Sequence, residues 1–236
     1  MFNVHRSTSN VQRSTSNVQR STFNVHRIEC NPLQENCYIV SDETRECVII
    51  DCGAYYEEEH EAVQRYMTDH QLKPVHLLAT HGHLDHNFGV VRLFHANGLK
   101  VEICAEDQDM VEHIHEQARN LFGMNISEER PQIGRLLSDG DTVTFGSHTL
   151  HVLRTPGHSH GSCLFYCKEE NVAFTGDTLF RMSIGRTDFP EGSWTDMEQS
   201  LQRIARELPA ETRILPGHGP ESTMADELRY SPYLRH

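Results

Sequence analysis

THGHLDH, residues 80–86, sets three histidines and one aspartate within seven positions. The run follows Val75–Ala79, an apolar stretch that reads as a buried strand. His81 and His83 are two apart, so on an extended loop they project to the same side. Asp85 and His86 follow where the loop turns toward a helix. Imidazole nitrogen and carboxylate oxygen in this spacing suit Zn, Fe or Mn. The chain holds 17 His among 236 residues, so an isolated histidine carries little weight. Four ligand-type groups crowded behind one buried strand carry much more. Gly82, between the first two histidines, reads as the small residue that leaves room at a metal or eases the turn.

Three further stretches repeat the arrangement of a strand followed by a loop with His or Asp beside Gly. Pro156-Gly157-His158 comes after the strand candidate Thr149–Leu153, Gly176-Asp177 after Val172–Phe174, and Pro216-Gly217-His218-Gly219 after Arg213–Leu215. Loop ends on a rigid sheet are where sites are built. The four groups of residues 81–86 are too many for one ion. Two ions about 3.5–4 Å apart accommodate all of them once His158, Asp177 and His218 join. Two divalent ions bring four positive charges, against three negative ones from Asp85, Asp177 and a bridging hydroxide. The excess positive charge is suited to an oxyanion. His70 and His76 read as structural. His160 reads as solvated or as a support to the centre, and most other histidines, His148 among them, as solvated.

The remaining pattern gives the fold class. Asn36–Val40 and Cys47–Asp51 flank the polar SDETRE as a hairpin does. Glu57–Gln71 and Ala105–Phe122 read as helices. Trp194–Leu208 reads as a third, with Trp194, Met197, Leu201, Ile204, Ala205 and Leu208 on one face. Strands come in runs with helices between the runs. That predicts an α/β fold of two sheets covered by helices on their outer faces.

Residues 3–27 repeat with a period of seven: NVHRSTS, NVQRSTS, NVQRSTF, NVHR. Each unit has one Val and no second apolar position, so it cannot form a coiled-coil seam or offset the cost of ordering. Phe2–Arg6 recurs as Phe23–Arg27, which reads as a tandem expansion or a mis-chosen start without a catalytic role, the functional alternative being a short adhesive tail. The expected division is a disordered low-complexity segment over 1–22 and one domain over 23–236.

The formal charge of −13 argues against a nucleic-acid partner. No stretch approaches the roughly 20 apolar residues of a membrane helix. Seven cysteines, odd in number and without a C-x-x-C, read as reduced and mostly buried thiols. No basic and apolar leader follows Met1. Together these predict a cytoplasmic protein.

THGHLDH, TPGHS, FTGDTLF and LPGHG, in this order, resemble the successive motifs of the metallo-β-lactamase superfamily, over about residues 28 to 230. The resemblance implies an αββα sandwich of two mixed sheets flanked by helices. It implies that His81, His83 and His158 hold one metal, that Asp85, His86 and His218 hold a second, and that Asp177 bridges them. SIGRTDFPEGS, after Asp177, is similar to short bacterial glyoxalase II-type (hydroxyacylglutathione hydrolase-like) enzymes. That implies two divalent ions, Zn first and Fe or Mn also suited. It implies hydrolysis of a small-molecule thioester such as S-D-lactoylglutathione by a metal-bridging hydroxide, with Asp85 orienting the hydroxide. Arg186 stands where the longer enzymes carry a Lys that touches glutathione. It reads equally as an anion contact or as a partner of Asp188. Full-length glyoxalase II enzymes have a C-terminal helical domain, whereas 18 residues follow His218 here, and Pro220 takes the place of a Tyr. The thiol half of the substrate therefore stays open. The alternative within the superfamily is a mononuclear-iron persulfide dioxygenase, whose loop can also read GRTDF. A non-catalytic diiron redox or oxygen-sensing module stands behind it.

Overall fold

The structure, a computed structural model, describes residues 22–126 and 129–234. Most of the heptad repeat therefore lies outside the described residues. Its last unit lies inside them and is folded: Asn24–Cys30 is the first strand, β1, and Phe23 packs 6.4 Å from the Phe145 ring.

β2 (Glu35–Ser41) and β3 (Glu46–Ile50) form the expected hairpin, with Tyr38 opposite Ile50. α1 (Glu57–Asp69) leads to β4 (Lys73–Leu78) and α2 (Val90–Asn97) to β5 (Val101–Cys104). The predicted helix over 105–122 is broken into a 3-10 turn at Ala105–Asp107, α3 (Gln108–Glu112) and α4 (Ile114–Phe122). The break falls at His113, whose ring bonds back to the Asp109 carbonyl. β6 (Ile133–Leu137) completes a first sheet, ordered β1-β2-β3-β4-β5-β6. β3 to β6 run parallel.

The second sheet has β7 (Thr142–Phe145), β8 (His148–Arg154), β9 (Cys163–Cys167) and β10 (Val172–Gly176). After the short ribbon β11 (Leu179–Phe180) and β12 (Ser183–Ile184) come α5 (Trp194–Glu207), β13 (Arg213–Pro216), β14 (Ser222–Thr223) and α6 (Met224–Tyr230). The sheet order is β14-β13-β10-β9-β8-β7, with β10 and β13 parallel.

Strand pleating explains the layers. In β3, Val48 and Ile50 face the second sheet, while Cys47 and Ile49 face α1 and α2. In β9, Phe165 faces the first sheet, while Leu164 and Tyr166 pack against Met197, Leu201 and Ile204 of α5. Both faces of each sheet are thus covered, which is why CVII and CLFYC are continuous apolar runs rather than alternating ones. The result is the expected αββα sandwich.

Two expectations need correction. Trp194 opens α5 with half its surface exposed and packs against Tyr233 rather than joining the buried face of Met197 and Leu201. His148 is buried, not solvated. Its ring bonds to Asp42 at 3.0 Å, across the two sheets.

Candidate metal centre

β3, β4, β8, β10 and β13 deliver their following residues to one rim of the sandwich. The seven predicted ligands meet there as three overlapping groups: His81, His83 and His158; His81, His86 and Asp177; Asp85, His86 and His218. In each group the ligand atoms lie within 4.8 Å of one another.

The hydrogen bonds show which way each imidazole faces. A neutral imidazole has one N–H and one lone pair, and the N–H goes to the available acceptor. His158 Nδ1 donates to the Arg186 carbonyl at 2.8 Å, and His83 Nε2 to the Glu191 carboxylate at 3.0 Å. His86 Nδ1 faces Asp51 Oδ2 at 3.0 Å, and His218 Nδ1 donates to the Leu33 carbonyl at 3.0 Å. The Thr80 hydroxyl donates to Asp51, so it accepts from His81 Nδ1 at 3.1 Å. Every ring therefore turns its other nitrogen inward. His83 Nδ1 and His158 Nε2 meet at 2.9 Å, and His86 Nε2 and His218 Nε2 at 3.2 Å. His81 Nε2 and Asp177 Oδ1 are buried without a hydrogen-bond partner. Five inward-facing nitrogens and two carboxylates form a donor set that calls for cations.

Electrostatics agree. Burial alone would raise the Asp177 pKa, but His86, His158 and His218 hold it well below the usual carboxylate range. Burial opposes a charge on His86, yet Asp177, Asp51 and Asp85 outweigh it and raise its pKa well above the ordinary value. Those carboxylates demand positive charge at this spot, which a divalent ion supplies in place of a proton. Burial pushes His81 the other way, reinforced by the neighbouring histidines, so its Nε2 stays free to ligate.

Several supporting residues were not legible as such. Asp51 follows β3 in a left-handed conformation, φ 49°, and accepts from Thr80 N, Thr80 Oγ1 and His86. Its position directly after an apolar strand is part of the signal that marks Asp177, but its glycine, Gly53, stands two residues on. Asp107 gave no such signal. Fully buried, it accepts from Gly82 N (2.9 Å), Gly161 N (2.6 Å) and Ser159 Oγ (2.6 Å), tying the loop of His81 and His83 to the loop of His158. Asn87 donates to the carbonyls of His81 and His83, and Asn31 to that of Asp85. Gly82 has a different role from the one its place suggested. A Cβ there would meet Met110 Cβ at 2.6 Å, so the glycine serves close packing on α3, not room at a metal. His160 is solvent-exposed, whereas His76 bonds to Glu102 and the Thr144 carbonyl.

His83, Asp85, His158, Asp177 and His218 open into a cavity of about 360 Å³. Leu33, Leu121, Phe122, Phe180 and Phe189 give it an apolar wall, and Arg186 stands at its edge. Arg186 pairs with Asp188 through two bonds, 2.6 and 2.8 Å, and lies 4.1 Å over the Phe189 ring. Both readings of Arg186 thus have a basis: it is held by Asp188 and it lines the cavity.

Residues 30–218 match the family model described as the metallo-beta-lactamase superfamily. The chain belongs to that superfamily. Among curated superfamily relatives, hydroxyacylglutathione hydrolase GloC of Haemophilus influenzae is 34% identical, over 85% of this chain and 93% of its own. Among solved structures, BLEG-1 B3 metallo-beta-lactamase superposes with a TM-score of 0.82 at 32% identity, covering 90% of this chain and all of that one. TTHA1623, solved in a di-iron-bound form, does so with a TM-score of 0.78 at 36% identity, covering 89% and 100%. The superfamily fold and the His/Asp cluster together make this a divalent-metal site.

Proposed function

We propose that the protein hydrolyses small-molecule thioesters such as S-D-lactoylglutathione, with two divalent ions, Zn first among them, in its centre. The observation that carries this reading is the pair of complete ligand triads beside a cavity of substrate size. His81, His83 and His158 would hold one ion, and Asp85, His86 and His218 the other, with Asp177 between them. Bound there, such ions supply a Lewis acid for a carbonyl oxygen and lower the pKa of a water to about 7.

The chain's own residues account for the rest. Asp85 lines the cavity, and in this reading it would accept the proton of the attacking water and so aim it. Among the described residues, the cavity wall carries no Tyr, Lys, Cys, Ser or Thr, so only Asp85, once it holds the water's proton, could return one to a leaving group. Gln117 is there, but its amide is committed to Leu84 N and to the carbonyls of Gly82 and Met110. A thiol, with a pKa near 8.5, leaves as a thiolate without such help, whereas an amine does not. This favours a thioester over an amide. Arg186 would exchange Asp188 for a carboxylate on the thiol carrier. The likeness to GloC supports the same substrate class.

A mononuclear-iron persulfide dioxygenase would leave Asp85, His86 and His218 idle, and the completeness of that triad favours the hydrolase. The charge and the cavity support a small-molecule partner rather than nucleic acid or membrane. Among the described residues no helix is long and apolar enough to cross a membrane. All seven cysteines are free and buried, which supports placement in the cytoplasm.

The test is thiol release from a panel of thioesters alongside metal analysis. Asp177→Ala should lose metal and nearly all turnover, and a variant that keeps both refutes the bridging role. Oxygen uptake with glutathione persulfide, in the same preparation, would favour the dioxygenase.

A further inference from the structure

The loop of residues 185–193, between β12 and α5, is built against the first triad. His158 Nδ1 donates to its Arg186 carbonyl, and His83 Nε2 to its Glu191 carboxylate. The Phe189 ring stands 5.1 Å from that of His83 and 6.1 Å from that of His158. Gly185 presses on the same spot: a Cβ there would fall 1.9 Å from the Asp177 carbonyl oxygen and 3.1 Å from His158 Nδ1. The second triad does not lean on this loop. His86 is set by Asp51, whose side chain is 2% exposed, and His218 by the Leu33 carbonyl. The Glu191 side chain is 22% exposed, so His83 is held from the solvent side, whereas His81 and His86 are held from the core through Thr80 and Asp51.

We infer that Glu191 is the positioning residue of the first metal. It keeps the hydrogen of His83 on Nε2 and so commits Nδ1 as the ligand. It thereby makes the hold on that ion depend on the loop that also carries Arg186 and Phe189 into the cavity. The inference rests on the two-ion reading proposed above. An imidazole offers a metal one lone pair. A carboxylate on the opposite nitrogen fixes the ring and raises its basicity, and losing such a partner typically costs 10–100-fold in metal affinity. His83 has no other carboxylate within bonding distance among its described contacts. Contacts between substrate and Arg186 or Phe189 would steady the same loop, so occupancy of the cavity and of the first metal reinforce one another.

The experiment is a zinc competition titration of the full chain against a chromophoric chelator, for wild type, Glu191→Ala and Glu191→Gln. In Glu191→Ala one of the two ions should bind at least about tenfold more weakly and the other as in wild type. Glu191→Gln keeps an acceptor oxygen and should recover part of the loss. Melting of the metal-free proteins should coincide, as befits a loop residue. Unchanged binding of both ions, or equal weakening of both, overturns the assignment. A wild type that binds a single ion sinks the two-ion reading instead. Glu191 is still tested in that case, because the ion at His83 must then weaken in Glu191→Ala.

Discussion

His83 Nδ1 lies 2.9 Å from His158 Nε2, and the far nitrogens of both rings face acceptors, the Glu191 carboxylate and the Arg186 carbonyl. Two lone pairs directed at one another are unfavourable, and a cation between or beside them reverses the sign. The fold thus stores an unmet demand for positive charge at the rim of its two sheets.

That demand makes metal a stabilising ligand. A ligand at a thousand times its Kd adds about 4 kcal/mol to the folded state. For a chain of this size each kcal/mol moves Tm by roughly 2–4 °C. Saturating zinc should therefore raise Tm over chelator-treated protein by about 8–16 °C for each ion bound, read in a thermal melt. Coincident melts would contradict the centre.

Asp107 joins the two loops that carry the first triad, and Asp107→Ala leaves Gly82 N and Gly161 N buried without an acceptor. Each orphaned donor costs about 1–3 kcal/mol, so urea denaturation should show a loss of about 2–6 kcal/mol. Turnover should fall as well, because His81, His83 and His158 lose their common anchor. A neutral substitution would show that the loops hold their places independently.

Asp42 gives a pH dependence distant from the centre. Burial would raise its pKa, but the Thr44 hydroxyl, Ser147 N–H and His148 outweigh this and hold it below the usual carboxylate range. The folded state then binds this proton less readily than the unfolded chain. Its contribution is present above the unfolded value of about 4 and disappears as pH falls toward the folded one. Asp42→Asn should cost about 2 kcal/mol at pH 7, and its gap from wild type in urea should shrink by pH 3. A gap independent of pH would mean that Asp42 acts through shape alone.

We propose that the functional domain starts at Phe23. Its ring lies 5.0 Å from His148 and 6.4 Å from Phe145, and β1 begins at the next residue. A chain starting at Phe23 should keep full turnover and the same Tm. A large loss would give residues 1–22 a role that their composition does not supply.

The seven candidate ligands were legible because their chemistry is local. Each ligand follows an apolar strand and sits beside a glycine or within H-x-H-x-D-H, so pattern and spacing suffice. The two sheets were legible for the same reason, since strands buried on both faces read as apolar runs. Asp107, Glu191 and His148 were not legible, because each matters through a partner far away in sequence: Gly161, His83 and Asp42. β5 and β6, short and set among polar residues, also gave no distinct pattern. The helix over 105–122 was read as continuous because its apolar spacing survives the break, whereas the break itself is a local backbone choice at His113.

The central claim is a two-ion thioester hydrolase. It is tested most directly by the rate of thiol release from S-D-lactoylglutathione as metal-free protein is titrated with zinc. The rate should climb until two equivalents are bound and then level off. No thiol release at any loading, or a maximum at one equivalent, would contradict it.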